Sequence, residues 1–298
     1  MNPRRKALAL LCVAAITTAM AVRPIAARSS EIAMPPAAAT EWLNLPSQTA
    51  LDFRGKVVVV QFWTYTCINW RRTLPYIRAW ETKYRGQGLV VIGVHTPEFD
   101  FERNVDNVRS ALGEMHIVYP VAIDNQQLIW NAFHNAYWPA LYLLDAQGHI
   151  RYRQFGEGQY ARTEREIQKL LAESGGHPSN DLVAVEPLGA EVAADVANLK
   201  SAESYLGYET AERFVSNGGA MPNRRHDYVT PNHLSLNEWA LSGSWTIGRQ
   251  AAVLDDASGK IVYRFRARDL NLVMAPSVLG TPVRFRVLID GHPPGASR

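Results

Sequence analysis

The sequence predicts an α/β domain, with a mixed β-sheet flanked by helices, followed by an all-β module. Between residues 41 and 174, short apolar runs alternate with segments of helical periodicity. After residue 200, the clearest apolar segments place an apolar residue at every second position, as half-buried strands do. Residues 175–200 are rich in Gly, Pro, Ala and Val, and we expect them to link the first domain to a module over residues 201–298.

The first forty residues have the features of an export signal followed by a linker. The basic start Arg4-Arg5-Lys6 precedes an apolar stretch over residues 7–19 and the small-x-small cleavage site Ala19-Met20-Ala21. We therefore predict a signal peptide over residues 1–21, a linker over residues 22–40, and a location in the periplasm or exported to the cell envelope. An uncleaved signal would make the protein peripheral to the membrane.

Charge and composition exclude several classes of function. The formal net charge of +3 is supplied entirely by the basic start of the signal, since residues 1–21 contain no acid. A neutral mature chain gives no reason to expect a nucleic-acid partner. The eight histidines show no metal-ligand spacing, and there is no phosphate-binding glycine loop. We therefore expect neither a metal nor a cofactor.

The elements of the α/β domain follow from the apolar patterns. The run Lys56–Phe62 contains four consecutive valines, which is typical of a strand buried on both faces. A turn over residues 145–148 joins the last two strands, and Thr163 is the expected N-cap of the last helix. In chain order, strands are predicted over residues 56–62, 89–94, 119–123, 140–144 and 149–154, and helices over residues 68–84, 102–112, 126–133 and 163–171.

Two alternating segments define the all-β module. After a predicted turn at residues 256–259, Ile261, Tyr263 and Phe265 alternate with Val262, Arg264 and Arg266. Over residues 283–289, Val283, Phe285, Val287 and Ile289 alternate with Arg284, Arg286 and Leu288 in the same way. Aromatic residues in such strands pack in the core more often than they stack on sugar rings, but both roles are open here. The aromatic residues concerned are Tyr205, Tyr208, Trp239, Trp245 and Tyr263.

Cys67 carries the chemistry that the sequence suggests. It lies between a predicted buried strand and a predicted helix, where backbone amides and the helix dipole favour the thiolate. Arg71 and Arg72 add positive charge, whereas burial under neighbouring tryptophans would raise the thiol pKa. The other cysteine, Cys12, falls in the predicted signal, so the mature protein would own one thiol. The spacing Thr64-x-x-Cys67 also fits a peroxidatic cysteine, which keeps a thiol peroxidase among the alternatives.

Several separated motifs resemble the thioredoxin-like, redoxin- or TlpA-type domain of DipZ-related cytochrome c biogenesis and thiol-disulfide interchange proteins. The motifs in the first domain are Gln61–Asn69, Arg72–Pro75, Gly93–Phe99 and Tyr137–Ala140. Those in the second module are Tyr205–Tyr208, Asn237–Gly243 and Pro282–Val287, which are similar to the family's carbohydrate-binding-like jelly roll. The resemblance implies a thioredoxin fold over residues 41–174. It also implies further strands in the family's module, so the module is expected to be incomplete.

The resemblance assigns roles to individual residues. It implies that Cys67 is the attacking cysteine and that Pro139 is the cis-proline opposite it. Trp63, Trp70 and Trp138 are then expected to form the walls of the substrate groove, with Glu98 and Gln61 as accessory residues. Trp70 stands where the family has its resolving cysteine, and Gln61 stands where thioredoxins often have a buried acid.

These departures limit the expected activity. A thiolate at Cys67 can form a mixed disulfide, but Trp70 cannot resolve it, so at most monothiol exchange is predicted and enzymatic turnover stays open. The expected partners are proteins with a disulfide or thiol, an external thiol reductant, and glycan at the second module. The alternative is a non-catalytic envelope protein that binds peptide or glycan.

Overall fold

A computed structural model describes residues 39–45, 53–276 and 281–294. The first domain is built on one six-stranded mixed sheet with the strand order β1-β4-β3-β2-β5-β6. Strand β3 runs parallel to β2 and β4, whereas β1 and β5 are antiparallel to their neighbours. The strands are β1 (Glu41–Leu43), β2 (Val57–Trp63), β3 (Leu89–His95), β4 (Val121–Ile123), β5 (Ala140–Leu144) and β6 (Ile150–Phe155).

Four α-helices cover the two faces of this sheet. They are α1 (Ile68–Tyr84), α2 (Val105–Glu114), α3 (Leu128–Ala132) and α4 (Tyr160–Glu173). Val57 and Val59 of β2 pack in one core with α1, α2 and α4, whereas Val58 and Val60 pack in a second core with α3. Because successive side chains of a strand point to opposite faces, a strand between two cores must be apolar throughout. This explains the four consecutive valines and confirms the predicted mixed sheet flanked by helices.

The helix boundaries differ from prediction at two places. The predicted helix over residues 102–112 is divided at Asn104, whose side chain accepts a hydrogen bond of 2.9 Å from the amide of Asp106 and so caps α2. Thr163 is not an N-cap: α4 begins at Tyr160, and Thr163 is a buried residue within its first turn. The extra turn is held by tertiary packing, since the Tyr160 ring stacks on Tyr76 at 3.7 Å between ring centroids.

The second module is all-β, as predicted. Its described part contains an antiparallel sheet of three strands, β7 (Arg225–Tyr228), β8 (Trp239–Ile247) and β9 (Ala252–Tyr263), in that order. Tyr228, Trp239, Leu241, Trp245 and Ile247 form its core. Trp239 and Trp245 are therefore core residues, and neither offers a face to a sugar ring.

Two predictions for this module are wrong. Residues 256–259 are not a turn but continue strand β9, with a register irregularity opposite Gly243, where φ is 95°. Residues 281–288 form no strand and are exposed. A strand needs a partner for its backbone groups, and the bridge described nearest to this segment joins Ile289 to His292, just beyond its end.

The segment expected to be a linker has specific contacts with the first domain. The buried carboxylate of Glu164 accepts hydrogen bonds of 3.0 Å from the amide of Val183 and forms an ion pair of 3.2 Å with Lys83. Further along, Glu191 pairs with Arg78 at 2.8 Å. Among the described residues, no helix is long and apolar enough to cross a membrane.

Candidate functional site

Cys67 lies at the junction between β2 and α1. It is the N-cap residue of α1, and its carbonyl accepts the first helical hydrogen bond, 3.0 Å from the amide of Arg71. Pro139 directly precedes β5, and the pairing of Phe62 with Ala140 places the end of β2 beside the start of β5. The peptide bond between Trp138 and Pro139 is cis, as the sequence predicts. The cysteine and the cis-proline therefore lie at the same end of the central strands.

The Cys67 thiol is buried, and its pKa is raised. Its residue exposure is 9%. The pKa of Cys67 is raised to about 12, mainly by burial; the charges of Glu203 and Glu98 act in the same direction, and hydrogen bonds from the amides of Trp70 and Asn69 oppose the shift. The favourable effect of the helix start is thus outweighed by the loss of solvent around the sulfur.

The two arginines of the first turn do not offset this burial. Arg72 forms an ion pair of 3.0 Å with Glu157, so its charge is partly neutralised. The charged groups that act most strongly on the thiol are carboxylates, not guanidinium groups. The expectation that Arg71 and Arg72 support a thiolate is not met in this structure.

Trp63 and Trp70 lie beneath the surface. Their rings stack at 4.2 Å between centroids, with an angle of 21° between planes, and neither side chain is exposed. Gly93 makes room for Trp63, since a Cβ there would lie 2.7 Å from Nε1 of Trp63. The prediction that both tryptophans line a substrate groove is therefore wrong: they are completely buried, in the same core as Cys67.

Trp138 is the one of the three predicted groove tryptophans that reaches solvent. It is partly exposed, packs against Trp130 at 4.2 Å between ring centroids, and donates a hydrogen bond of 3.0 Å from Nε1 to the carbonyl of Thr96. These contacts fix its ring between β5 and the loop after β3. It lies directly before Pro139, at the sheet edge that also carries Cys67.

Gln61 and Trp70 are joined in a buried chain of hydrogen bonds. Nε1 of Trp70 donates to Oε1 of Gln61 at 3.0 Å, and Nε2 of Gln61 donates to the hydroxyl of Tyr119. Gln61 is 2% exposed. Gln61, which was predicted to be an accessory residue, is thus a neutral group that accepts the hydrogen bond of the Trp70 indole. Its side chain has no ionisable proton to exchange with Cys67.

A buried glutamate that sequence reasoning missed supports the loop after β3. Glu102 is fully buried, and one carboxylate oxygen accepts hydrogen bonds from the amides of Glu98 at 2.7 Å and Phe99 at 2.9 Å. Its other oxygen accepts a hydrogen bond from the hydroxyl of Thr66, next to Cys67. Glu102 therefore connects the cysteine loop to the loop that carries Glu98. Its partners are mostly backbone amides, which leave no side-chain pattern in the sequence.

Glu98 is partly buried and meets a residue of the second module. The hydroxyl of Tyr205 donates a hydrogen bond of 2.8 Å to Oε1 of Glu98. Burial raises the pKa of Glu98, the charges of Glu203 and Glu102 act in the same direction, and the hydrogen bond from Tyr205 opposes them. Tyr205 was expected either to bind sugar or to pack in a core, and the structure instead places it at the Cys67 site.

A mixed sheet of this order, with a cysteine at the start of α1 and a cis-proline before β5, defines a thioredoxin-like protein. Residues 33–171 match the redoxin family model, and residues 201–298 match the model described as the thioredoxin like C-terminal domain. Residues 33–171 are therefore redoxin-like, and this part of the chain is similar to thiol-disulfide oxidoreductases.

The chain is similar to several individual proteins. The chain is 36% identical over 257 residues to the protein DipZ of Mycobacterium tuberculosis, an alignment that covers 85% of this chain and 36% of the relative. It is 27% identical over 133 residues to the thiol-disulfide oxidoreductase YkuV of Bacillus subtilis, covering 45% of this chain and 89% of that protein. A solution structure of a thioredoxin-like protein in the oxidized form is 26% identical, with a TM-score of 0.42, over 47% of this chain and 95% of its own.

Proposed function

We propose that the protein is an exported thiol-disulfide exchange protein that acts through one thiol, Cys67. The observation that carries this proposal is the position of Cys67 as N-cap of α1, at the same sheet edge as Pro139, in a redoxin domain. Trp70 occupies the place three residues later, so the site has no second thiol. The named thiol-disulfide oxidoreductase among the relatives supports the reaction class, and the basic and apolar N-terminal residues support export.

The proposed reaction is the formation of a mixed disulfide. The Cys67 thiolate attacks one sulfur of a protein disulfide, the partner's S–S bond breaks, and the second sulfur leaves as a thiol after it gains a proton. An external thiol then releases the partner, since Trp70 cannot. Trp138 and Pro139 form the groove edge against which the partner's chain would lie. The high pKa of Cys67 makes this reaction slow at neutral pH, unless partner binding exposes the thiol.

A disulfide-reduction assay on three proteins tests the proposal: the mature chain, its Trp70→Cys variant and its Cys67→Ser variant. Without added thiol, we expect the parent to give a trapped adduct with a disulfide-containing protein, whereas Trp70→Cys should release the reduced partner once and end with a disulfide between positions 67 and 70. With an added thiol reductant, Trp70→Cys should turn over repeatedly and faster than the parent. Cys67→Ser is the matched control and should give neither adduct nor turnover. Absence of an adduct from the parent at pH 9, where more thiolate is present, would overturn the exchange function.

The second candidate is a peptide-binding protein without catalysis. The observation that favours it is the burial of Cys67, which is 9% exposed and belongs to the same core as Trp63 and Trp70. On this hypothesis the edge near Trp138 binds an extended peptide, and the thiol is a core residue. A peptide that binds the parent and Cys67→Ser with equal affinity, without any adduct, would favour this candidate over exchange.

A further inference from the structure

The turn that presents Cys67 is tied to the segment after β3. Residues 64–67 form this turn, which is closed by a hydrogen bond of 3.2 Å from the amide of Cys67 to the carbonyl of Thr64. Within the turn, the hydroxyl of Thr66 donates a hydrogen bond to a carboxylate oxygen of Glu102. Glu102 belongs to the short 3₁₀ helix Asp100–Arg103, which follows β3 in the chain. The residue next to Cys67 is therefore held by a side chain 36 positions away.

Glu102 is a buried carboxylate to which the proposed exchange assigns no part. Its side chain is fully buried, and its second oxygen accepts hydrogen bonds of 2.7 Å from the amide of Glu98 and 2.9 Å from the amide of Phe99. A carboxylate away from water is unfavourable unless hydrogen bonds satisfy it, and these three donors are all neutral groups. If the side chain moved, a buried oxygen would lose its donor, which is costly. Glu102 is therefore a rigid connection between Thr66 and the backbone of residues 98–99.

The second module docks on the same short loop. The hydroxyl of Tyr205 donates a hydrogen bond of 2.8 Å to the side chain of Glu98. The amide of Asp100 donates a hydrogen bond of 3.0 Å to the side-chain oxygen of Gln250, and the Asp100 carboxylate forms an ion pair of 3.0 Å with Arg249. These contacts hold the loop from outside, and the buried carboxylate holds its first two amides from inside. The loop is thus a fixed support for the cysteine turn.

We propose that Glu102 is a positioning residue for Cys67 and acts through the hydroxyl of Thr66. This inference rests on the proposed function and adds no chemical step to it. Glu102 neither gives nor takes a proton in the exchange; it keeps the cysteine turn, and with it the thiol, at the sheet edge that carries Pro139. A turn released from Glu102 would expose the thiol to small reagents more often, since local opening becomes easier. It would also align the thiol less well with a protein disulfide, and misplaced groups react slowly.

The first experiment measures the rate of Cys67 alkylation by iodoacetamide at pH 8, in the full chain carrying Cys12→Ser. Thr66→Val keeps the shape of the side chain but removes the donor to the carboxylate. We expect alkylation to become about tenfold faster, because a hydrogen bond to a charged group shifts an opening equilibrium by at least about that factor. Tyr65→Phe is the matched control: it removes another hydroxyl of the same turn, whose hydrogen bond to the carbonyl of Phe101 is long, at 3.4 Å. Its rate should stay within about twofold of the parental rate.

Two substitutions of Glu102 test whether hydrogen bonding carries the effect. In Glu102→Gln, the side-chain oxygen still accepts from the two amides, and the side-chain nitrogen can donate to the Thr66 hydroxyl, which is also an acceptor. This variant should therefore stay within about threefold of the parental alkylation rate, whereas Glu102→Leu should be at least as fast as Thr66→Val. If Glu102→Gln were as fast as Glu102→Leu, the positioning role would be overturned. Thr66→Val keeps the inference testable if Glu102→Leu does not fold.

The second experiment separates positioning from simple covering of the thiol. It measures the rate of mixed-disulfide formation with insulin at the same pH and divides it by the alkylation rate. In Thr66→Val this ratio should fall at least about tenfold, because access to the thiol increases while its alignment is lost. An unchanged ratio would mean that the turn only covers the thiol, and an unchanged alkylation rate in both Thr66→Val and Glu102→Leu would overturn the whole inference. Alkylation needs no exchange, so a parent that is alkylated as expected but forms no mixed disulfide at pH 9 would overturn the proposed function alone.

Discussion

Trp70 donates a hydrogen bond of 3.0 Å from its indole Nε1 to the side-chain oxygen of Gln61. These are the two positions at which the sequence departs from the thioredoxin pattern, and the structure places them in direct contact. A glutamine is suited to this place because its oxygen accepts from the indole while its nitrogen donates to Tyr119. A carboxylate there would be a charge in a fully buried position. The two departures are therefore adapted to each other in one buried network.

Replacing Trp70 should cost more stability than replacing a comparable tryptophan without a hydrogen bond. Trp80 is the matched control, since it is as buried as Trp70 and its Nε1 has no hydrogen-bond partner in the described structure. Trp70→Phe would leave Oε1 of Gln61 without its donor, which costs about 1–3 kcal/mol. We expect urea unfolding to give a free energy of unfolding lower by about 1–2 kcal/mol for Trp70→Phe than for Trp80→Phe. Equal losses would mean that the hydrogen bond contributes nothing.

Local sequence patterns predicted much of the fold. The predicted bounds of α1, residues 68–84, were correct. An unbroken apolar strand, a short turn and a long helical repeat follow each other here, and this local pattern determines where the helix begins and ends. The start of α4 was wrong because the ring stacking of Tyr160 on Tyr76 extends the helix by tertiary packing. Residues 283–289 alternate like a strand, yet alternation cannot supply the partner that a strand requires.

The sequence predicted only those residues of the candidate site that lie in local motifs. Cys67 and Pro139 lie in recognisable motifs, and both are at the expected end of the sheet. Tyr205 is 107 residues from Glu98, and no periodicity connects positions that far apart. The pKa of Cys67 could not be predicted from the sequence either, because the start of the helix favours the thiolate whereas burial opposes it. The balance depends on packing around the sulfur.

The pH profile of Cys67 alkylation should show a strongly raised pKa. Burial raises the pKa of Cys67 from 9.0 to about 12, so the thiolate fraction at pH 8 should be roughly a thousandfold lower in the folded protein than in the unfolded chain. In the Cys12→Ser chain, we expect the alkylation rate to increase almost tenfold per pH unit between about pH 8 and pH 11. The same chain in guanidinium is the control and should level off near pH 9. A plateau near pH 9 in the folded protein would contradict this prediction.

The same shift links Cys67 to stability at high pH. Since the folded-state pKa is above the unfolded one, the folded protein binds more protons between about pH 9 and pH 12. The stability present below pH 9 is therefore lost as the pH rises through this interval. Cys67→Ser should weaken this part of the pH dependence in denaturant unfolding.

His95 should destabilise the fold as the pH falls. It is fully buried beside Trp63 and Thr64, and burial lowers its pKa from 6.5 to about 3. Between these values the unfolded chain binds more protons, so stability present above pH 6.5 is lost toward pH 3, with a slope of up to about 1.4 kcal/mol per pH unit. His95→Gln should flatten the slope of the unfolding free energy between about pH 6 and pH 4. The exposed His177→Gln serves as the control, and an equal effect of both variants would refute the assignment.

Gly207→Ala should destabilise the second module and displace the segment that carries Tyr205 from the Cys67 site. Position 207 is buried, and its added Cβ would overlap the backbone of Arg249 and Gln250, which cannot turn away as a flexible side chain could. We expect a loss of about 1–3 kcal/mol in unfolding free energy from overpacking. Gly113→Ala in α2 is the control, because nothing lies within 4 Å of its Cβ and alanine favours the helix by about 1 kcal/mol.

The Gly207→Ala variant should also change the chemistry two residues away. The segment that carries Tyr205 is held at Arg249 by hydrogen bonds from the amides of Tyr208 and Glu209 to the carbonyls of Gly248 and Arg249, at 3.0 and 3.1 Å. Displacing that segment weakens the contact between Tyr205 and Glu98, so Cys67 should become more exposed and its alkylation at pH 8 should accelerate.

Asp100→Asn breaks the ion pair with Arg249 without adding bulk, and exposed pairs contribute at most about 1 kcal/mol. Its alkylation rate should therefore stay near that of the parent. A Gly207→Ala protein that is destabilised but alkylates at the parental rate would show that the second module does not control access to Cys67.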